Sequence, residues 1–258
     1  MTRNASFSCS GAQLLSSLVI IFSLTILGST LQYQDKTLVA HRGASAYAPE
    51  HTLAAYQLAL TQGADFVEQD LGVTRDGVLV CLHDDSLERT TNVEEIFPDR
   101  YTTVSRSGKS YRLWLLRDFT LAEIKTLDAG SWFSKEFAGA QIPTWQEAIN
   151  LIRGQAGLFP ELKSPSDYEA VGIDMATLVL EVLRSNGLNE PATDPTTPVI
   201  IQSFDAASLR TIVAKQPLLP RVFLFGAQDP AAPISDKWLK EIAEFATGIG
   251  PAKSIISA

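Results

Sequence analysis

Three short polar motifs carry the chemistry open to this chain: His41-Arg42-Gly43, Glu68-Gln69-Asp70 and His83-Asp84. The sequence holds only three histidines, and two of them stand in these motifs. Two imidazoles flanking a carboxylate pair can supply a general acid, a general base and a cation site. Glu68 and Asp70 are two residues apart, so on a strand both carboxylates point to one face. Carboxylates buried side by side repel each other, and a divalent cation relieves the repulsion. Glu161-Leu162-Lys163 repeats the spacing farther along and adds a third carboxylate. Three carboxylates make a hard, oxygen-rich site for calcium or magnesium, and no Cys/His cluster speaks for zinc. A lone E-x-D pair is common on surface strands; its coupling to His41 and His83 at other strand ends is what favours a site. Arg42 and Lys163 are candidates for holding phosphate oxygens. Asp84 is adjacent to His83, but strand alternation would turn the two side chains apart. His51, after Glu50 at a helix start, reads as a cap.

These residues need elements to hold them. Each motif closes an apolar run: Leu38-Val39-Ala40, Phe66-Val67, and Val78 through Leu82. Such runs predict buried parallel strands, with polar groups at the C-terminal ends where parallel α/β folds gather their active sites. From Thr37 onward strand and helix patterns alternate, which predicts a parallel sheet with helical crossovers. Strands are expected over 38–41, 64–70, 78–83, 157–163, 199–203, 221–225 and near 249–256. That is about seven, where a closed (β/α)₈ barrel needs eight. Either the barrel is open or the sequence is a fragment. Leu53, Tyr56 and Leu60 mark the apolar face of one helix, and Val171, Met175, Leu178 and Val182 that of another. Thr120 with Glu123 and Thr144 with Glu147 are capping boxes, and Asp205 is an N-cap. Residues 92–118 break the alternation and predict an insertion on the active-site face, either a passive loop or a lid that shapes the substrate site.

Composition narrows the class. At 258 residues and 45% hydrophobic, the chain can build one large α/β domain with a sizeable core. A formal charge of −8 and the lack of a basic stripe exclude nucleic acid as a partner. Arg3 is the only charge before Asp35, and the apolar stretch Leu14 to Leu27 is followed by small residues. Residues 1–30 therefore predict a secretory signal, and a secreted or periplasmic protein. The other reading is a retained signal-anchor, which would make this segment the protein's one contact with a membrane. Cys9 would leave with the signal, and Cys81, inside an apolar strand, is expected to be an inert buried thiol.

Taken in order, His41-Arg42-Gly43 with Pro49-Glu50-His51-Thr52, Glu68-Gln69-Asp70, His83-Asp84, Asp128-Ala129-Gly130, Ile142-Pro143-Thr144, Glu161-Leu162-Lys163 and Gln202-Ser203-Phe204 resemble the glycerophosphodiester phosphodiesterase family. The resemblance runs from about Leu38 to the end. It implies an α/β TIM barrel of the phosphatidylinositol phospholipase C-like type over residues 36–258. It also implies that Glu68, Asp70 and Glu161 bind a divalent cation, and that His41 and His83 are the acid–base pair. The long insertion resembles that of secreted and periplasmic members. Three departures stand out: His51 where the family more often has Asn, the insertion in place of a Gly-rich turn, and a last strand and helix that are expected to be missing. The implied reaction is hydrolysis of small-molecule glycerophosphodiesters to sn-glycerol 3-phosphate and an alcohol. Two alternatives remain: a phospholipase D-like enzyme acting on intact lipid, hinted at by Trp114, Leu115 and Leu116, and a non-catalytic phosphodiester-binding barrel.

Overall fold

The run Phe66–Val73 forms the strand around which the sheet is organised, buried along nearly its whole length. The computed structural model describes residues 36–106, 108–226 and 234–256; the expected export segment, residues 1–30, lies outside them. The strands are β1 (Val39–Ala40), β2 (Phe66–Val73), β3 (Leu79–Cys81), β4 (Thr102–Arg106), β5 (Lys109–Leu113), β6 (Gly157–Leu162), β7 (Ile201–Ser203), β8 (Arg221–Phe225) and β9 (Gly248–Pro251). Strands β1-β2-β6-β7-β8-β9 lie side by side in that order, all parallel, in a curled sheet of the TIM-barrel class. Among the described residues no helix is long and apolar enough to cross a membrane.

Helices α1 (Leu53–Thr61), α2 (Val93–Ile96), α3 (Leu121–Ile124), α4 (Trp145–Ile152), α5 (Pro165–Glu169), α6 (Met175–Ser185), α7 (Ala206–Lys215), α8 (Asp236–Ala243) and α9 (Lys253–Ile256) connect and cover the strands. Both capping boxes open α3 and α4 as expected, and the Asp205 carboxylate accepts the Ser208 N–H at the start of α7. Two apolar faces are rotated from their expected positions. In α1 the buried side chains are Ala55, Tyr56 and Ala59, while Leu53 is exposed. Small alanines let this helix approach the β1 loop closely, and larger side chains would hold it off. In α6 the buried set is Met175, Ala176, Val179, Leu180 and Leu183, with Val171 exposed ahead of the helix.

One strand runs against expectation. The segment 78–83 was expected as another parallel strand, but β3 pairs antiparallel with the far end of β2, through Leu71↔Cys81 and Val73↔Leu79. The cause is a short connection: Gly77, at φ +80, turns the chain directly back, whereas a parallel return needs a crossover of a dozen residues or more. The expected strand near 249–256 is likewise β9 followed by α9. The 92–118 stretch is not a bare loop. It holds α2 and the β4–β5 hairpin, and Trp114, Leu116, Phe119 and Val93 build a small second core with Leu82 and Ile142. Of the three apolar residues that hint at intact lipid, Trp114 and Leu116 face inward and Leu115 is half-buried, so they form no exposed apolar rim.

Gly43 is the position where backbone freedom matters most. Its φ is +81, and a Cβ there would stand 2.8 Å from the Ala55 carbonyl carbon of α1. Gly43→Ala combines a left-handed backbone with a clash against a helix, so a loss of about 2–4 kcal/mol is expected. Chemical denaturation of both proteins checks it; equal midpoints would show that α1 moves away freely.

Candidate active site

Strand alternation does bring the acids together. Glu68 and Asp70 lie on one face of β2, and Glu161 stands directly beside Asp70 in the parallel register of β6. The three buried carboxylates offer oxygen atoms that all lie within 4.8 Å of one another. Gln202 continues the row, paired with Glu161 in β7, and its Nε2 donates to Glu68 Oε1 at 2.9 Å. Lys163, expected as a substrate contact, places its Nζ 2.9 Å from Glu161 Oε1. An open cleft lined by Glu161, Lys163, Ser164, Ser203 and Phe204 leads away from this edge.

The loop after β1 supplies the next residues. His41 is 68% exposed, with Nε2 3.6 Å from Glu68 Oε2. Burial of part of the ring and the adjacent Arg42 charge hold its pKa below the ordinary histidine value. The Arg42 N–H donates to Glu68 Oε2 at 2.9 Å, and its guanidinium lies between Glu50 and Asp70. Arg42 (φ 60), His51 (φ 55) and Ser164 (φ 45) are the non-glycine residues with positive φ among the described residues; Arg42 and Ser164 follow strands β1 and β6, and His51 precedes the N-cap of α1. Left-handed backbone costs such residues about 1 kcal/mol or more each, and it gathers where function over-determines the chain.

His83 arrives by the antiparallel route. Strand β3 has ended at Cys81, so strict alternation no longer applies, and His83 Nδ1 lies 2.6 Å from Asp84 Oδ1. The two side chains, expected to turn apart, therefore meet, and Asp84 can fix the tautomer of the His83 ring. Hydrogen bonds from His83 and Arg89 hold the Asp84 carboxyl well below the usual range despite burial, so Nδ1 is the donor, and in the neutral ring Nε2 is the lone pair. Arg89 also binds Glu50, and Glu50 binds Arg42, so a chain of ion pairs joins the two histidine loops.

His51 is the residue whose place the sequence concealed. It does not cap α1; Thr52 does, accepting the Ala55 N–H. His51 is 2% exposed, with Nε2 2.8 Å from Asp70 Oδ2 and Nδ1 2.8 Å from the Tyr56 hydroxyl. Glu50, Arg89 and Gln202 were also given no role beforehand. For Gln202 a signal existed: like Glu161, it is a polar residue closing an apolar strand run.

The electrostatics fit a cation. Burial and the Asp70 charge push Glu68 up to about 7, and the same two causes push Glu161 up to about 7. For Asp70, burial is outweighed by the His51 hydrogen bond and by nearby positive charge, so it stays well below the usual range. Asp70 Oδ1 is buried without a hydrogen-bond partner. A clustered set of hard oxygen donors with one orphaned oxygen suits a divalent ion such as calcium or magnesium. Cys81 takes no part: burial pushes its thiol up to about 12.

The sequence matches the Glycerophosphoryl diester phosphodiesterase family over residues 41–251. It is 37% identical over 246 residues to the glycerophosphodiester phosphodiesterase of Bacillus subtilis, covering 92% of this chain and 75% of that protein. Identity to the Haemophilus influenzae glycerophosphodiester phosphodiesterase is 36% over 218 residues, covering 76% of this chain and 56% of that one. Among solved structures, a phosphodiesterase of Oleispira antarctica in complex with the product sn-glycerol-3-phosphate is 31% identical, with a TM-score of 0.66, over 85% of this chain and 76% of that one.

Proposed function

The chain belongs to the glycerophosphoryl diester phosphodiesterase family, and on that premise we propose that it hydrolyses glycerophosphodiesters to sn-glycerol 3-phosphate and an alcohol. The observation that carries this reading is one cluster: a buried acidic triad, with His41 3.6 Å from Glu68 and His83 directly after Leu82, whose N–H donates to the Asp70 carbonyl at 2.9 Å. The substrate is a small molecule, the deacylated head of a phospholipid. Its glycerol bears a hydroxyl next to the phosphodiester, which makes intramolecular attack the economical route.

His83 is the initial base. Asp84 holds its Nδ1–H, so Nε2 takes the proton from the glycerol hydroxyl as that oxygen attacks phosphorus. Lys163, and the part of the Arg42 fork not spent on Glu50 and Asp70, hold the phosphoryl oxygens. His41 then protonates the departing alcohol oxygen, and the cyclic phosphate remains. In the second half His41 takes a proton from water as it opens the ring, and His83 returns its proton to the glycerol oxygen. Glu68, Asp70 and Glu161 would hold a calcium or magnesium ion, which would supply positive charge against the developing phosphoryl charge.

The buried state of Trp114 and Leu116 favours the deacylated substrate over intact lipid. The N-terminal pattern of residues 1–30, outside the described residues, supports a secreted or periplasmic location. Purified protein is expected to release glycerol 3-phosphate from glycerophosphocholine, to lose that activity in EDTA, and to recover it with calcium or magnesium. Activity that survives EDTA would remove the cation from the reading. Turnover of intact phosphatidylcholine alone would replace the substrate class.

A further inference from the structure

Asp70 reaches the centre of the triad through more than its own strand. Its Oδ2 faces His51 Nε2 at 2.8 Å and Arg42 Nε at 3.4 Å, while Oδ1 is buried with no partner. Behind His51, Nδ1 lies 2.8 Å from the hydroxyl of Tyr56, a fully buried residue of α1.

The direction of these bonds follows from the donors and acceptors available. An ionised Asp70 carboxylate only accepts, so His51 Nε2 must carry its hydrogen. In the neutral ring Nδ1 is then a lone pair, and the Tyr56 O–H must donate to it. Both bonds thus point the same way, from Tyr56 of α1 through His51 to one oxygen of Asp70, and bonds aligned in this manner polarise one another. The turn itself is fixed. His51 N–H donates to the Arg42 carbonyl at 3.1 Å, and Thr52 begins α1 immediately after.

We propose that His51, backed by Tyr56, is a positioning residue for the cation site: it commits Oδ2 of Asp70 to the protein and presents Oδ1 alone as the ligand. The inference rests on the cation-binding reading above. Outer hydrogen bonds of this kind fix the orientation and basicity of a ligand, and their loss lowers metal affinity by about 10- to 100-fold.

The test is calorimetric titration of calcium and of magnesium into the EDTA-stripped full chain, with a melt of each stripped protein. His51→Leu is expected to bind 10- to 100-fold more weakly. His51→Asn keeps an amide donor and tolerates the left-handed backbone, so it recovers part of the loss. Tyr56→Phe keeps the packing but removes the donor to Nδ1, and a smaller loss, roughly threefold to tenfold, is expected within the same range of effects. A purely structural role would lower the melting temperature of the stripped protein and leave cation affinity unchanged. If His51→Leu fails to fold, Tyr56→Phe decides the matter. Wild-type affinity in every folded variant would overturn this inference alone, whereas a wild-type chain that binds neither cation would overturn the reading beneath it as well.

Discussion

His41→Ala and His83→Ala are each expected to reduce phosphodiester hydrolysis by roughly 10²- to 10⁴-fold while leaving divalent-ion affinity near the wild-type value. His41 is 68% exposed and meets the triad through a 3.6 Å approach to Glu68. His83 is held by Asp84, a residue outside the triad. Neither ring is needed to assemble the acids, so proton transfer and ion binding should separate cleanly. The converse pair, Glu68→Gln and Asp70→Asn, should lose ion affinity. Asp70→Asn should be the more damaging, since its removed charge is the one that His51, Arg42 and Lys163 are arranged around. Steady-state assays on glycerophosphocholine beside calorimetric titration check both halves. Unchanged ion affinity in the Glu68→Gln, Asp70→Asn double variant would end the assignment of the triad.

The second large effect is on stability. With divalent ions removed, Glu68 and Glu161 titrate at about 7 in the folded protein, against an ordinary value of 4.5. The folded state therefore binds more protons than the unfolded chain between those values. Their contribution is fully present below about pH 4.5 and is lost as pH rises through about 7. Asp70 works with the opposite sign, but its window lies below 3.8 and does not offset the loss. The stripped protein should thus weaken between pH 5 and 7 by a few kcal/mol, read as roughly 5–10 °C in the melt. On the cation-binding reading, calcium or magnesium would take the place of the protons, so the gap between melts with and without the ion should widen from pH 5 to pH 8. A gap that stays constant over this range would contradict the raised glutamates.

Much of the site was legible because it depends on alternation alone. Glu68 and Asp70 share a face of β2 whatever lies beside that strand, and Glu161 with Lys163 repeats the pattern. What depends on pairing was not legible. The row Asp70, Glu161, Gln202 exists only through the register of three strands distant in sequence. The direction of β3 was hidden for a similar reason, since a short apolar run reads the same in parallel and antiparallel settings. His51 was concealed by its neighbour: Thr52 takes the capping role, and a left-handed φ of 55 then swings the imidazole inward toward Asp70. The inward packing of Trp114 escaped notice because its partners, among them Leu82 and Ile142, come from far along the chain.

The acids that face one another belong to strands β2 and β6, and the whole excursion from β3 through α4 is threaded between them. On the cation-binding reading, an ion grasped by all three would act in kinetic terms as a latch whose halves meet only after that long loop has closed. Such a latch has little to hold while the chain is still searching, so it does not hasten folding. It acts on the way out, as a brake on unfolding whose strength is set by the free ion concentration around the protein.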